Sequence, residues 1–194
     1  RDPLEGLFSG GDQPREYRAR DIVRAIELAA EDDHIKAVVL DLTQFMGGGL
    51  VTMQEIGAAL DKVRAAKKPV LTYAMLYPDD AMMLAAHASE VWVHPLGGAF
   101  VMGPGGERVY YGGLMQRLKV NVHVFKVGTY KDAVEPYVLH KASEPSREAR
   151  RALFGSLWEE WKGDVSKARP KANIALASGD PVGWFKAARG DAAQ

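Results

Sequence analysis

Cysteine is absent from this 194-residue chain. That excludes a disulfide framework, a thiolate nucleophile and a zinc site built on thiolates. Long apolar runs are missing too, and none approaches the roughly 18 residues of a membrane-spanning helix. Neither sign of charge is in excess, with Lys+Arg and Asp+Glu at 25 each. Nothing therefore points to nucleic acid or an anionic membrane surface as a partner. Low-complexity segments are lacking. His34, His94, His123 and His140 are scattered without metal-ligand spacing, and Ser89, two residues after His87, has no nucleophile elbow of the G-x-S-x-G kind. No metal and no cofactor is expected.

What is present is ordinary for a globular protein. Apolar content of 47% and charged content of 26% suit one domain with a full hydrophobic core. The opening Arg1-Asp2-Pro3 reads as neither a signal peptide nor a natural initiator, so an anchor or export signal is expected upstream in a longer protein.

Residues 1–16, with Pro3, Gly6, Gly10, Gly11 and Pro14, read as an open arm or loop. From Asp21, Ile22, Val23, Ile26 and Ala30 recur at helical spacing. Ile35–Asp41 reads as a strand buried on both faces. After Gly47-Gly48-Gly49 comes a helix with Thr52 and Glu55 as a capping box and Met53, Ile56, Leu60 and Val63 as its apolar stripe. The pattern repeats with a strand over 69–74, a short helix over 81–88 and a strand over 91–93. Strands alternating with helices predict an α/β fold with a parallel sheet and right-handed crossovers. Leu96–Gly106 reads as irregular, 110–118 as a helix, 120–127 as a fourth strand, and 146–167 as a long helix with Leu153, Leu157, Trp158 and Trp161 on one side. The organisation expected is an arm over 1–16, a domain over 17–168, and a helical appendage or linker start over 169–194.

Two stretches carry candidate chemistry. Gly47-Gly48-Gly49 lies between a strand end and a helix start, where backbone N–H groups can hold an oxyanion or a phosphate. It is neither a P-loop nor a dinucleotide fingerprint, and a tight turn needing positive φ would explain it equally. The second is Gly128-Thr129-Tyr130-Lys131-Asp132-Ala133-Val134-Glu135-Pro136. Lys131 sits in a glycine-led turn just past an alternating run, at a fixed point rather than on a helix face. As a base near neutral pH it must lose most of its usual pKa of about 10.4, through burial beside Val127, Tyr130, Ala133 and Val134. Asp132 and Glu135 oppose that and must point away from the amine. The alternative is a solvated lysine paired with Glu135 four residues on.

These segments together resemble a known family. Asp41–Gly48, Met53–Leu60 and Lys68-Pro69-Val70, then Leu118-Lys119-Val120, His123-Val124-Phe125 and Val127–Lys131 through Glu135-Pro136, look like the amino-terminal repeat of the long bacterial form of signal peptide peptidase A, also called protease IV. The likeness runs from about residue 15 to residue 168. It implies a ClpP/crotonase-like α/β fold and a Ser/Lys dyad, with the lysine from the amino-terminal repeat and the serine from the carboxy-terminal one. Lys131 falls on the dyad lysine, and Gly128, Thr129 and Tyr130 would position it. Where the serine-bearing repeat has Ser-Gly-Gly, this chain has Asp79-Asp80-Ala81 and so carries no nucleophile. Gly47 and Gly48 match the oxyanion turn of that repeat and would be vestigial here.

The resemblance further implies a peptide substrate of the remnant signal peptide kind, and the carboxy-terminal repeat of the same protein as partner. It also implies a ring-like homo-oligomer, tetrameric at full length, at the bacterial inner membrane with this domain on the periplasmic side. Alone, the half is expected to be inactive. The alternatives are a non-catalytic scaffold repeat, and a crotonase-type acyl-CoA enzyme that would use the Gly47–Gly49 amides and leave Lys131 incidental.

Overall fold

The structure, a computed structural model, describes residues 16–180 with Val182, Gly183 and Lys186. The arm read over 1–16, apart from Glu16, and the tail residues Pro181 and Trp184 lie outside the described residues. The chain divides into two units: one runs to Val101 and resumes at Asp164, and the other is Met102–Gly163.

The first unit holds α1 (Ala19–Glu31), β1 (Val38–Asp41), α2 (Leu50–Ala65), β2 (Val70–Pro78), α3 (Asp79–Ala86) and β3 (Glu90–Phe100). The strands form one parallel sheet in the order β1-β2-β3. This is the repeated β-α arrangement that the alternation of strands and helices predicts. Its core comes from the apolar stripe of α2, where Met53, Ile56, Leu60 and Val63 are all buried. Val70, Thr72 and Ala74 on β2 and Ala81, Met83, Leu84 and Ala85 on α3 complete it. Helix α1 packs on α2 through Ile26. The open carbonyls at the end of α1 are taken by Lys68, whose Nζ donates to Ala29 O and Ala30 O, each at 2.9 Å, and to Asp32 O at 2.7 Å. A cation there meets the negative end of the helix dipole.

Three local expectations change. The run from Ile35 forms a strand only from Val38, and it is not buried on both faces, since Val39 is 68% exposed. It is an edge strand with an open face, where alternation replaces continuous burial. Thr52 and Glu55 make no capping box, because α2 begins earlier, at Leu50, behind Gly49 at φ +82°. The third strand is longer than 91–93 and takes in part of the glycine-rich stretch read as irregular. Ala74 pairs with Val93, then Leu76 with Gly98, so the intervening residues of β3 bulge out.

The second unit holds α4 (Gly112–Arg117), α5 (Glu135–Val138) and most of α6 (Glu144–Ala168). The backbone of α5 anchors the start of α4: Tyr111 N donates to Pro136 O at 2.6 Å and Gly112 N to Leu139 O at 3.2 Å. A side chain at Gly112 would fall 2.5 Å from that Leu139 oxygen, so the residue must be glycine. The fourth strand expected over 120–127 does not form. Alternating sequence makes a strand only with a ladder partner; this segment has none among the described residues, and Phe125 and Val127 stand exposed. On α6, Trp158 and Trp161 stack with centroids 5.0 Å apart and Trp161 is buried, but Leu153 is exposed rather than part of the apolar side.

Candidate functional site

The glycine turn of the first unit already holds an anion, and the anion is its own. Gly48 N and Gly49 N both donate to Asp80 Oδ2, at 2.8 and 2.9 Å. Gly47 and Gly49 adopt φ +102° and +82°, which turns successive amides toward one point. A side chain on Gly47 would place its Cβ 2.8 Å from the same carboxylate oxygen. Asp80 stands in the first turn of α3, within Asp79-Asp80-Ala81. The Gly48 and Gly49 amides are thus both satisfied by one side chain of the chain itself.

Elsewhere in this unit Ser89 is structural. Its Oγ accepts the Val70 N–H at 3.1 Å, and its own N–H donates to Val70 O at 2.7 Å, pinning the start of β2. His87 Nδ1 lies 3.0 Å from Asp61 Oδ2, a close approach without hydrogen-bond alignment. Neither residue builds a nucleophile–base pair. Among the described residues no cluster of His, Asp or Glu has the arrangement to hold a metal ion.

The second unit carries the lysine turn. Gly128 sits at φ +106°, and Lys131 N donates to Gly128 O at 3.5 Å, which closes the turn. Lys131 is exposed, as are Val127 and Tyr130, so these expected neighbours do not bury it in this chain. Tyr130 OH donates to Glu148 Oε2 at 3.3 Å. Thr129 is exposed.

The two carboxylates flanking Lys131 are both engaged elsewhere. Glu135 is buried, 3% exposed, and accepts Ser143 Oγ–H at 2.6 Å and Ser143 N–H at 3.1 Å. Asp132 Oδ2 accepts Ser146 Oγ–H at 2.5 Å and Arg108 Nη1–H at 3.0 Å, and lies 3.7 Å from Arg150 Nη2. The Ser146 hydrogen bond first, then the Arg108 and Arg150 charges, hold the Asp132 carboxyl below the usual range despite partial desolvation. Arg108 Nη2 also donates to the backbone oxygens of Asp132 at 3.2 Å and Ala133 at 3.3 Å. Arg150 Nη2 donates to Ser146 Oγ at 3.0 Å and Tyr110 OH at 2.9 Å. Among the described residues the Lys131 amine has no hydrogen-bond or ion-pair partner, and the pairing with Glu135 weighed above is not made.

Arg108, Ser146 and Arg150 were not visible as site residues in the sequence. One faint signal existed, the four-residue spacing that puts Ser146 and Arg150 on one face of α6. Arg108 had none, because it reaches Asp132 across 24 residues of chain.

Residues 62–191 match Peptidase family S49. The chain belongs to that family. Its parallel sheet flanked by helices agrees with the ClpP-like fold expected of it. The S49 match covers β2, α3, β3 and the lysine turn. The chain is 38% identical to Protease 4 of Salmonella typhi over 161 residues, which is 83% of this chain and 26% of that protein. It is 34% identical to Protease 4 of Haemophilus influenzae over 162 residues, 84% of this chain and 26% of that protein. The chain thus spans about a quarter of the length of these S49 relatives. Among the described residues of the S49 chain no helix is long and apolar enough to cross a membrane.

Proposed function

We propose that this chain is the amino-terminal half of a serine peptidase working through a Ser/Lys dyad. It supplies Lys131 as general base, while the nucleophilic serine lies in a carboxy-terminal repeat. The observation that carries this reading is the Lys131 amine, unpartnered among the described residues, in a turn whose two carboxylates are bound elsewhere. In the reaction the serine hydroxyl adds to a peptide carbonyl and its proton passes to neutral Lys131 Nζ. The lysine then returns a proton to the departing amine as the acyl-enzyme forms, and water later cleaves the ester. Gly128, at a φ open to glycine, sets the turn, and Thr129 and Tyr130 lead the chain into it.

The substrate proposed is the remnant signal peptide class, extended and apolar, met on the periplasmic side of a bacterial inner membrane. Exposed Leu96, Met102, Phe125 and Val127 support further assembly, both with the second repeat and into a ring-like oligomer, proposed as a tetramer. By itself the half is inactive, since Asp79-Asp80-Ala81 offers no hydroxyl nucleophile. A crotonase-type use of the Gly47–Gly49 amides is disfavoured by the Asp80 carboxylate that already occupies them.

The test is turnover of an apolar peptide ester or amide by the full-length protein, wild type against Lys131→Ala, with labelling by a serine-directed covalent probe in parallel. A loss of at least about 10²-fold, with assembly unchanged, is expected for a general base. Near-normal turnover overturns the dyad and leaves this half as an assembly scaffold.

A further inference from the structure

We propose that Arg108, Ser146 and Arg150 form a clamp on Asp132 that keeps its carboxylate from pairing with Lys131. All are positioning residues. The inference rests on the reading of Lys131 as the base and adds what makes that reading workable beside two acidic residues.

A free carboxylate within about 4–6 Å of an amine favours the ammonium form and displaces its titration by 1–3 units. Asp132 directly follows Lys131, and Glu135 is four residues on. Glu135 is withdrawn by burial and by Ser143, which satisfies both its oxygens. Asp132 is half-buried and needs stronger restraint. Oδ2 takes the Ser146 hydroxyl, itself 1% exposed, and the Arg108 guanidinium, with the Arg150 guanidinium 3.7 Å away. Arg108 binds the Asp132 and Ala133 carbonyls as well, so one guanidinium fixes both side chain and backbone immediately after the lysine. Arg150 is held in place by Ser146 Oγ and Tyr110 OH. Beside the turn Tyr130 OH donates to Glu148 Oε2 at 3.3 Å, and Lys126 precedes it in the chain. A buried serine and two arginines converging on one carboxylate is more than a surface turn requires. Surface ion pairs are loose and weak, whereas this cluster rigidifies one loop and neutralises one charge.

The experiment measures kcat/KM against pH for the full-length peptidase on an apolar peptide ester. The enzymes are wild type, Arg108→Gln, Ser146→Ala and the double variant Arg108→Gln/Asp132→Asn. The acid limb of this profile reports the base in the free enzyme. Releasing Asp132 by Arg108→Gln is expected to move that limb to higher pH by about one unit, a roughly tenfold loss below it with the alkaline plateau kept. Ser146→Ala, which removes a single hydroxyl and suits a helix, shifts it the same way by less. Adding Asp132→Asn removes the freed charge and returns the limb to its wild-type position. A purely structural clamp would instead lower activity at every pH, and Asp132→Asn would not restore it. An unmoved limb in both single variants, or no return in the double variant, overturns the proposal. Lys131→Ala separates the two readings. If it retains turnover, the base assignment itself has failed. If it abolishes turnover while the limbs stay unmoved, only the clamp has failed.

Discussion

Asp80 Oδ2 lies 2.8 Å from the Gly48 amide nitrogen, and Gly49 N reaches the same oxygen at 2.9 Å. In a peptidase fold a pair of backbone amides of this kind would receive the developing oxyanion. Here both amides are already taken by a side chain of the same chain. The two hydrogen bonds make a clasp between the loop before α2 and the first turn of α3.

That clasp has a measurable strength. Hydrogen bonds from backbone amides to a carboxylate contribute more than neutral ones, and Asp80 is half-buried, so Asp80→Ala is expected to cost about 1–2 kcal/mol. Asp80→Asn keeps one acceptor oxygen and should lose less. Gly47→Ala should cost at least as much as Asp80→Ala, through its φ of +102° and a Cβ 2.8 Å from the carboxylate. Denaturant unfolding of the three variants checks the order. Equal stability of wild type and Asp80→Ala would mean that water satisfies the amides as well as the carboxylate does.

The β3 bulge gives a sharper outcome. A Cβ on Gly97 would fall 1.8 Å from Met75 O, and the obstacle is backbone rather than a side-chain tip. Strand glycines mark such close approaches. Gly97→Ala must break the Leu76–Phe100 end of the β2–β3 ladder, so a loss of at least about 3 kcal/mol or failure to fold is expected. Thermal unfolding of Gly97→Ala beside Gly98→Ala, where a Cβ meets nothing within 4 Å, provides the control.

The sequence was most readable where one face of an element is buried in its own unit. The stripe Met53, Ile56, Leu60 and Val63 predicted α2 and its buried face, and the strand–helix alternation predicted the parallel sheet. It was least readable where structure depends on a partner distant in sequence. Residues 120–127 alternate as a strand should, yet strand formation needs a ladder, and no local pattern states whether one is available. The candidate site divides in the same way. Glycine marked both turns in advance, and Gly47, Gly49 and Gly128 all take positive φ there, a conformation open to that residue. The groups that engage Asp80 and Asp132 come from 14 to 32 residues away, and no local spacing ties them to those carboxylates.

Asp132 should also give the fold a signature in acid. Its carboxyl titrates below the usual range, chiefly through the Ser146 hydroxyl and then the two arginines. A carboxyl depressed in the folded state binds fewer protons there than in the unfolded chain. Its contribution to stability is therefore complete above the unfolded pKa, about 3.9, and is lost as pH falls through the lower folded value. The expected result is that Asp132→Asn is less stable than wild type by a constant amount above about pH 5. The gap should then narrow progressively as the solution is acidified below that. Unfolding measured in urea at a series of pH values reads this directly. A gap that stays constant down to pH values where all carboxyls protonate would show that Asp132 contributes shape rather than charge.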